Sequence, residues 1–356
     1  MDSISQYVLG AGIGVAVMGR RTAVWKAALW GGIAGTIPDL DALIDHGDPI
    51  RNMTFHRAES HSLLFLTMLS PLLAWLVTRI HGEAPHFRRW WLAMWGALFT
   101  HPLLDTMTIY GTQLLQPFSE HPFAIGSVFI IDPLYTVPLI LGLLATGIDR
   151  GPRRLRWNAA GVAVSTLYLG WSLVSQAWAT QVAERELAAA GVRTERLLVT
   201  ATGLNTVLWR IVAMEPGGAA YREGFWSPFD RGRPIRFDRF ASDRRLFGQL
   251  RGNWGVERMA WFSHGFFRVE RRGDVATIAD IRMGQEPNYT FTFDVARWRA
   301  NPGWAEVRYA ASGTRGDTAA LLRWLWPRLL GADLPPPRER APISPLPDFA
   351  LPARRE

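Results

Sequence analysis

WWLAMWGALFTHPLLD, residues 90–105, decides how the chain is read. It opens with ten apolar or Gly residues and then sets His101 and Asp105 four positions apart. On an α-helix that spacing stacks both side chains on one face. Apolar helices of about 17 to 25 residues can cross the hydrocarbon core of a bilayer. Inside such a helix an ionisable group costs at least about 2.5 kcal/mol at the centre, so it is kept where it pairs, coordinates or reacts. The stretch reads as a membrane helix that carries chemistry.

Outward from it, residues 62–80, 128–148 and 157–178 are further apolar segments. Two shorter, Gly-rich segments, residues 7–18 and 22–37, precede them, and small residues suit close helix crossings. The first begins with Asp2 and has no small-residue cleavage site before Arg20-Arg21, so it reads as a retained helix rather than a signal peptide. Trp25, Trp30, Trp75, Trp90, Trp91, Trp157 and Trp178 lie near segment ends, as in an aromatic belt. Three connections hold the basic residues: Arg20, Arg21 and Lys26; Arg79, Arg88 and Arg89; and Arg150, Arg153, Arg154 and Arg156. The positive-inside rule makes that side cytoplasmic. Residues 101–149 contain no Lys or Arg. The opposite ends, with the rest of the chain, are expected on the periplasmic side of a bacterial inner membrane.

Charge separates the halves. Of 39 Lys and Arg and 31 Asp and Glu, residues 1–180 hold only 12 and 11, so nearly all of the net +8 lies behind them. The Arg residues there are interleaved with acids and form no basic run, which excludes a nucleic-acid-binding reading. The absence of Cys excludes disulfides, thiolate metal sites and Cys nucleophiles. The expected fold is an α-helical polytopic membrane domain of about five to six helices over residues 1–180, then a smaller β-rich (α+β) soluble domain over 181–330. In the latter, a polar helix over 181–190 ends at Gly191, and β-like runs cover 196–200, 206–214, 219–226, 234–240, 265–270, 275–282 and 289–293. Residues 271–274 read as a hairpin loop and 317–330 as an amphipathic closing helix. Seven Pro make residues 331–356 an extended or disordered tail. With one His and no His/Asp cluster, this domain suits a structural, gating or partner-docking role.

Chemistry belongs to the outward helix ends. PDLD (38–41) sets Asp39 and Asp41 around the end of the second segment, FHRAESHS (55–62) supplies His56 and His61 before the third, and the fourth supplies His101 and Asp105. Imidazole nitrogen with carboxylate oxygen suits Zn²⁺ or Mn²⁺. Six such groups suffice for two metals sharing a carboxylate, or for one whose imidazoles are oriented by carboxylates.

The order PDLD, HRAESHS (56–62), HPLLD (101–105), TIYGTQLLQPFS (108–119) and FIIDPLY (129–135) resembles the YdjM-type bacterial inner-membrane proteins, over residues 1–148. The resemblance implies a membrane-embedded metal-dependent hydrolase, related to the all-helical zinc phospholipase C and P1 nuclease superfamily. It implies Asp39, Asp41, His56, His61, His101 and Asp105 as metal ligands or their supports, and Asp132 as a supporting group or general base. Two positions depart from the pattern: Gln6 stands where the family has His, leaving at best a weak oxygen ligand, and Ser60 where it has Thr.

The expected reaction is hydrolysis by metal-activated water, with Asp105 or Asp132 taking the proton and Arg57 holding an anionic group such as phosphate. A site at headgroup depth favours an amphiphilic or lipid-linked phosphoester or ester, with membrane lipids as partners. A metal-ion or proton-coupled transporter and a metal-stapled scaffold with a partner-binding outer domain are the alternatives. The six candidate ligands lie toward one face, and no charge marks an exit path through the inner half of the helices.

Overall fold

The computed structural model describes residues 1–301 and 303–338. It divides into two compact units, one made of Met1–Ser175 with Ala201–Thr206 and the other of Gln176–Thr200 with the chain from Val207. The division falls inside a helix, a few residues before the expected 180/181 boundary.

The first unit contains α1 (Ser3–Met18), α2 (Val24–Thr36), α3 (Pro49–Phe55), α4 (Leu63–His81), α5 (Phe87–Thr106), α6 (Pro133–Ile148) and the beginning of α7 (Leu155–Ala189). Asp2, Asp48, Ser62 and Asp132 start α1, α3, α4 and α6 by accepting backbone N–H groups that have no partner within the helix. Because Asp132 caps and Pro133 occupies the first turn, α6 begins five residues later than the apolar stretch 128–148. Helices α1 and α2 cross through glycine. A Cβ on Gly10, Gly14 or Gly31 would run into the facing backbone. Val15, Met18, Leu66, Val77, Trp90, Met94 and Leu98 form the core beside this crossing.

Among the described residues, one helix, Leu63–His81, is long and apolar enough to cross a membrane by length and composition, where five or six were expected. Ser3–Met18 and Pro133–Ile148 are apolar but shorter. Trp25, Trp75, Trp91, Trp157 and Trp178 are exposed, as a belt requires. Trp90 departs from that expectation: it is fully buried, and its Nε1 donates to Glu83 Oε2 at 2.8 Å. Trp30 instead donates to His81 Nε2 at 2.8 Å. The three basic connections do meet at one end. Thr22 Oγ1 and Lys26 Nζ reach Glu83 Oε1 at 2.8 and 2.9 Å, and Arg20 donates to the Pro152 carbonyl.

The second unit holds β1 (Arg196–Ala201) up to Thr200, β2 (Trp209–Met214), β3 (Ala220–Trp226) and β4 (Asp238–Ala241), paired in that order. Then come α8 (Arg244–Gln249), α9 (Trp254–Phe262), β5 (Phe267–Arg272), β6 (Val275–Asp280), the small ribbon β7 (Gly284–Gln285) and β8 (Asn288–Tyr289), β9 (Thr292–Arg299), β10 (Gly303–Ala311) and α10 (Thr318–Leu329). A second sheet has the order β10-β9-β6-β5. Arg272 pairs with Val275, so the hairpin turn is Gly273-Asp274 and the two Arg residues belong to the strand rather than to a four-residue loop. Gly273 takes the positive φ of 62° that this tight turn needs. The run expected over 234–240 shortens to β4, and α8, α9 and β10 were not anticipated. Of the expected Pro-rich tail, residues 339–356 lie outside the described residues.

Charge is buried in this unit as well. Arg210 donates to Glu223 Oε2 through Nε and Nη2 at 2.8 and 2.5 Å, and Arg338 Nη2 donates to Glu223 Oε1 at 2.8 Å. Arg268 Nη1 contacts both Glu286 oxygens at 2.7 Å, and Tyr221 donates to Glu286 Oε2 at 2.5 Å.

Candidate metal centre

Three pieces of chain converge at one end of the helical unit. A 3-10 turn, Ile37–Leu43, follows α2 directly and carries Asp39 and Asp41. A second, Glu59–His61, presents His61 just before α4. The last turns of α5 present His101 and Asp105 at the helical spacing read from sequence. Asp39, His61, His101 and Asp105 each offer a ligand atom, and these atoms lie within 4.8 Å of one another. His61 Nε2 and His101 Nε2 are 3.1 Å apart. Asp39 Oδ1 is 3.6 and 3.5 Å from them, and Asp105 Oδ2 is 3.2 and 3.3 Å.

Hydrogen-bond partners fix both imidazoles. His101 Nδ1 lies 2.7 Å from the Gly35 carbonyl, which can only accept, so Nδ1 carries a proton and, in the neutral ring, Nε2 carries the lone pair. Ser60 donates its one hydroxyl proton to Asp41 Oδ2 at 2.5 Å and is left to accept from His61 Nδ1 at 2.8 Å. His61 Nε2 is therefore a lone pair as well. With both imidazoles neutral, as metal ligation requires, two nitrogen lone pairs and two carboxylate oxygens face one point. His61, His101 and Asp105 are fully buried, and Asp39 is 18% exposed. Buried acceptors so close together repel unless a cation lies between them. The donor set fits a divalent metal ion.

Residues 1–179, half of the chain, match the family described as YdjM inner membrane protein. The chain belongs to that family. It is also 29% identical over 143 residues to the uncharacterized protein YfhP of Bacillus subtilis (strain 168), which takes in 37% of this chain and 42% of that protein. The chain thus spans less than half the length of this relative. No solved structure matches.

Of the remaining residues expected at the site, Asp41, His56 and Arg57 adjoin the four candidate ligands and Asp132 does not. Asp41 Oδ1 lies 2.8 Å from His56 Nδ1, while its Oδ2 accepts from Ser60 and, at 2.9 Å, from the Arg57 backbone N–H. Burial works to raise the Asp41 carboxyl, but His56, first by its hydrogen bond, and the Ser60 hydroxyl hold it down at about 2. Asp41 and His56 thus support His61 and stand outside the group of four. Arg57 is 3% exposed, adopts a positive φ of 64° and places Nη2 3.3 Å from Asp105 Oδ1. A non-glycine residue in that conformation costs about 1 kcal/mol. Its backbone is held by Asp41 and, at the carbonyl, by the Gln113 N–H at 2.9 Å. Asp132 is buried and does not join the cluster: it caps α6 through the Leu134 N–H and accepts the Tyr168 hydroxyl at 2.8 Å. Gln6 turns its nitrogen toward the site, donating to Asp105 Oδ1 at 3.0 Å. Sequence reasoning missed Gly35 and Ser60 as the partners that set the imidazoles. The hydroxyl beside His61 was a readable signal; a backbone carbonyl on another helix gave none.

Proposed function

We propose that this protein is a multi-pass inner-membrane hydrolase dependent on a divalent metal, with Asp39, His61, His101 and Asp105 as the ligands. The observation that carries the proposal is the convergence of Asp39, His61, His101 and Asp105, three of them fully buried, with ligand atoms within 4.8 Å of one another. A divalent cation bound there supplies an acidified water and positive charge against the oxyanion that develops at an ester or phosphoester centre. Asp39, the one ligand with solvent access, takes the proton; both oxygens of Asp132 are engaged by donors, and the open oxygen of Asp105 is the one that meets the cation. Arg57 neutralises Asp105 and keeps the ligand ionised. Asp41 and Ser60 orient His61, and Gly35 orients His101, as partners of ligating His residues do elsewhere.

An amphiphilic substrate, a lipid-linked phosphoester or ester, is favoured by the surroundings of Asp39. Leu40, Leu43 and Ile44 on the same turn are 57%, 83% and 56% exposed. Apolar groups left in the open beside a site fit acyl chains or the bilayer itself. Exposed Leu72, Leu141, Leu144, Leu167 and Val174 on α4, α6 and α7 support the membrane-embedded reading. The gathered basic connections support a cytoplasmic opposite end and hence a periplasmic site.

The test is metal-dependent turnover by the full-length protein in detergent. Diacyl and short-chain phosphodiesters and carboxyl esters are offered with Zn²⁺ or Mn²⁺, beside the His101→Ala variant. Hydrolysis that requires metal and vanishes in the variant is the expected result. Hydrolysis that survives His101→Ala would refute the assignment, as would metal-dependent cation flux in liposomes without any turnover.

A further inference from the structure

We propose that Gln6 is a positioning residue of the metal centre, whose side-chain amide holds Asp105 so that Oδ2 alone is offered to the cation. The proposal rests on the metal reading above and adds to it a residue outside the ligand set. Gln6 lies on α1 and is 1% exposed. Its Nε2 donates at 3.0 Å to Asp105 Oδ1 and at 3.1 Å to the His101 carbonyl oxygen. One amide nitrogen thus ties together both ligand-bearing residues of α5, one helical turn apart. Turned the other way, Oε1 would face two acceptors, so the orientation follows from its partners.

The two oxygens of Asp105 are treated in opposite ways. Oδ1 faces Gln6 Nε2, the Arg57 guanidinium at 3.3 Å and the backbone nitrogen of Met1. Oδ2 has no hydrogen-bond partner and lies 3.2 and 3.3 Å from the two imidazole lone pairs. An ionised carboxylate accepts at about four positions in all, two on each oxygen. Donors crowd Oδ1, so a cation meets Oδ2, and the carboxylate binds through one oxygen instead of two. Helix α1 cannot yield to relax this arrangement, because it presses its glycine backbone directly on α2. Gln6 Oε1 is itself buried without a partner, so the amide's contribution at this point is the donation to α5.

The test uses full-length protein in detergent, stripped with a chelator and titrated with Zn²⁺ alone. Gln6→Met keeps the volume and removes the amide; Gln6→Asn keeps an amide but withdraws it by one methylene. Both are expected to weaken Zn²⁺ binding about 10- to 100-fold, the usual effect of losing a group that orients a ligand. The metal-free variants should stay folded, with melting temperatures lowered by no more than the loss of two buried hydrogen bonds entails. With Co²⁺ in place of Zn²⁺, the visible bands should change as Asp105 becomes free to bind through both oxygens. Parental Zn²⁺ affinity in either folded variant overturns the role of Gln6 and leaves the metal site standing. A lower melting temperature with unchanged affinity overturns it equally, since that is a packing role. A parent protein that takes up no Zn²⁺ overturns the metal reading itself.

Discussion

In the helical unit, four acceptor atoms on Asp39, His61, His101 and Asp105 crowd together within 4.8 Å. In the β unit, Glu223 and Glu286 are equally buried, but each is met by arginine: Glu223 by Arg210 and Arg338, Glu286 by Arg268. One cluster is complete as folded, while the other gathers negative charge and lone pairs whose donors, Arg57, the Met1 nitrogen and Gln6, all sit on the far oxygen of Asp105. Both are expensive to bury. The difference separates charge that holds a fold together from charge arranged for a ligand, and it is a contrast that substitutions can break.

The largest expected effect falls on the ligands themselves. Asp105→Ala or His101→Ala removes one of four, and Zn²⁺ affinity should drop by more than the roughly 100-fold ceiling typical of supporting residues. Elemental analysis of the purified variants, beside near-UV circular dichroism, would measure it. Full metal content in either variant would mean that the convergence of these side chains is structural only.

The β unit should respond in the opposite sense. Glu223→Ala strands Arg210 and Arg338 without their carboxylate, and breaking a buried pair by removing one partner costs about 3–5 kcal/mol. Denaturant unfolding should show that loss, while Zn²⁺ stoichiometry stays at the parental level. A cost below about 1 kcal/mol would place these pairs with ordinary surface ion pairs.

Chelation comes next in size. A cation that binds only the folded helical unit stabilises it by about 2.7 kcal/mol when its free concentration is 100 times the dissociation constant. Removing it should lower the melting temperature of that unit and leave the Glu223 cluster untouched, as hydrogen exchange of α5 against β3 would reveal. Equal loss of protection in both would erase the distinction between the clusters.

What could be read in advance follows the same division. His101 and Asp105 were legible because a helix of known period carries both, and Asp39 because Pro38 marks the end of α2. Separating Asp39 from Asp41, or His61 from His56, was not legible. The 3-10 turns that aim one member of each pair inward are set by tertiary contacts, such as Ser60 on Asp41. For Gln6 the sequence allows at best a weak oxygen ligand and leaves its part in the site open, since nothing in its neighbours says that its nitrogen faces a carboxylate across two helices. In the β unit, β10 escaped because GWAEVRYAA mixes Ala with charged residues and its strand is half-exposed on both faces, so no apolar alternation marks it. Helices α8 and α9 are short, six and nine residues, too brief for a periodic signal to stand out.

The smallest effect lies at the partly exposed edge of the arginine-rich unit. Hydrogen bonds from Arg239 at 2.9 and 2.8 Å come first in holding Glu215 below its usual carboxylate range of about 4.5; burial opposes them, and the charges of Arg239 and Arg222 add to them. A carboxylate depressed in the folded state contributes stability above its unfolded pKa and loses it as the pH falls through the folded one. With the side chain 19% exposed, the contribution at neutral pH should stay within about 1 kcal/mol. Glu215→Gln should therefore lower stability slightly at pH 7, and the gap to the parent should close on acidification below about pH 4.5. Unfolding curves for the two proteins across that range decide it: a gap that stays constant with pH would show that Glu215 contributes through packing and not through its charge.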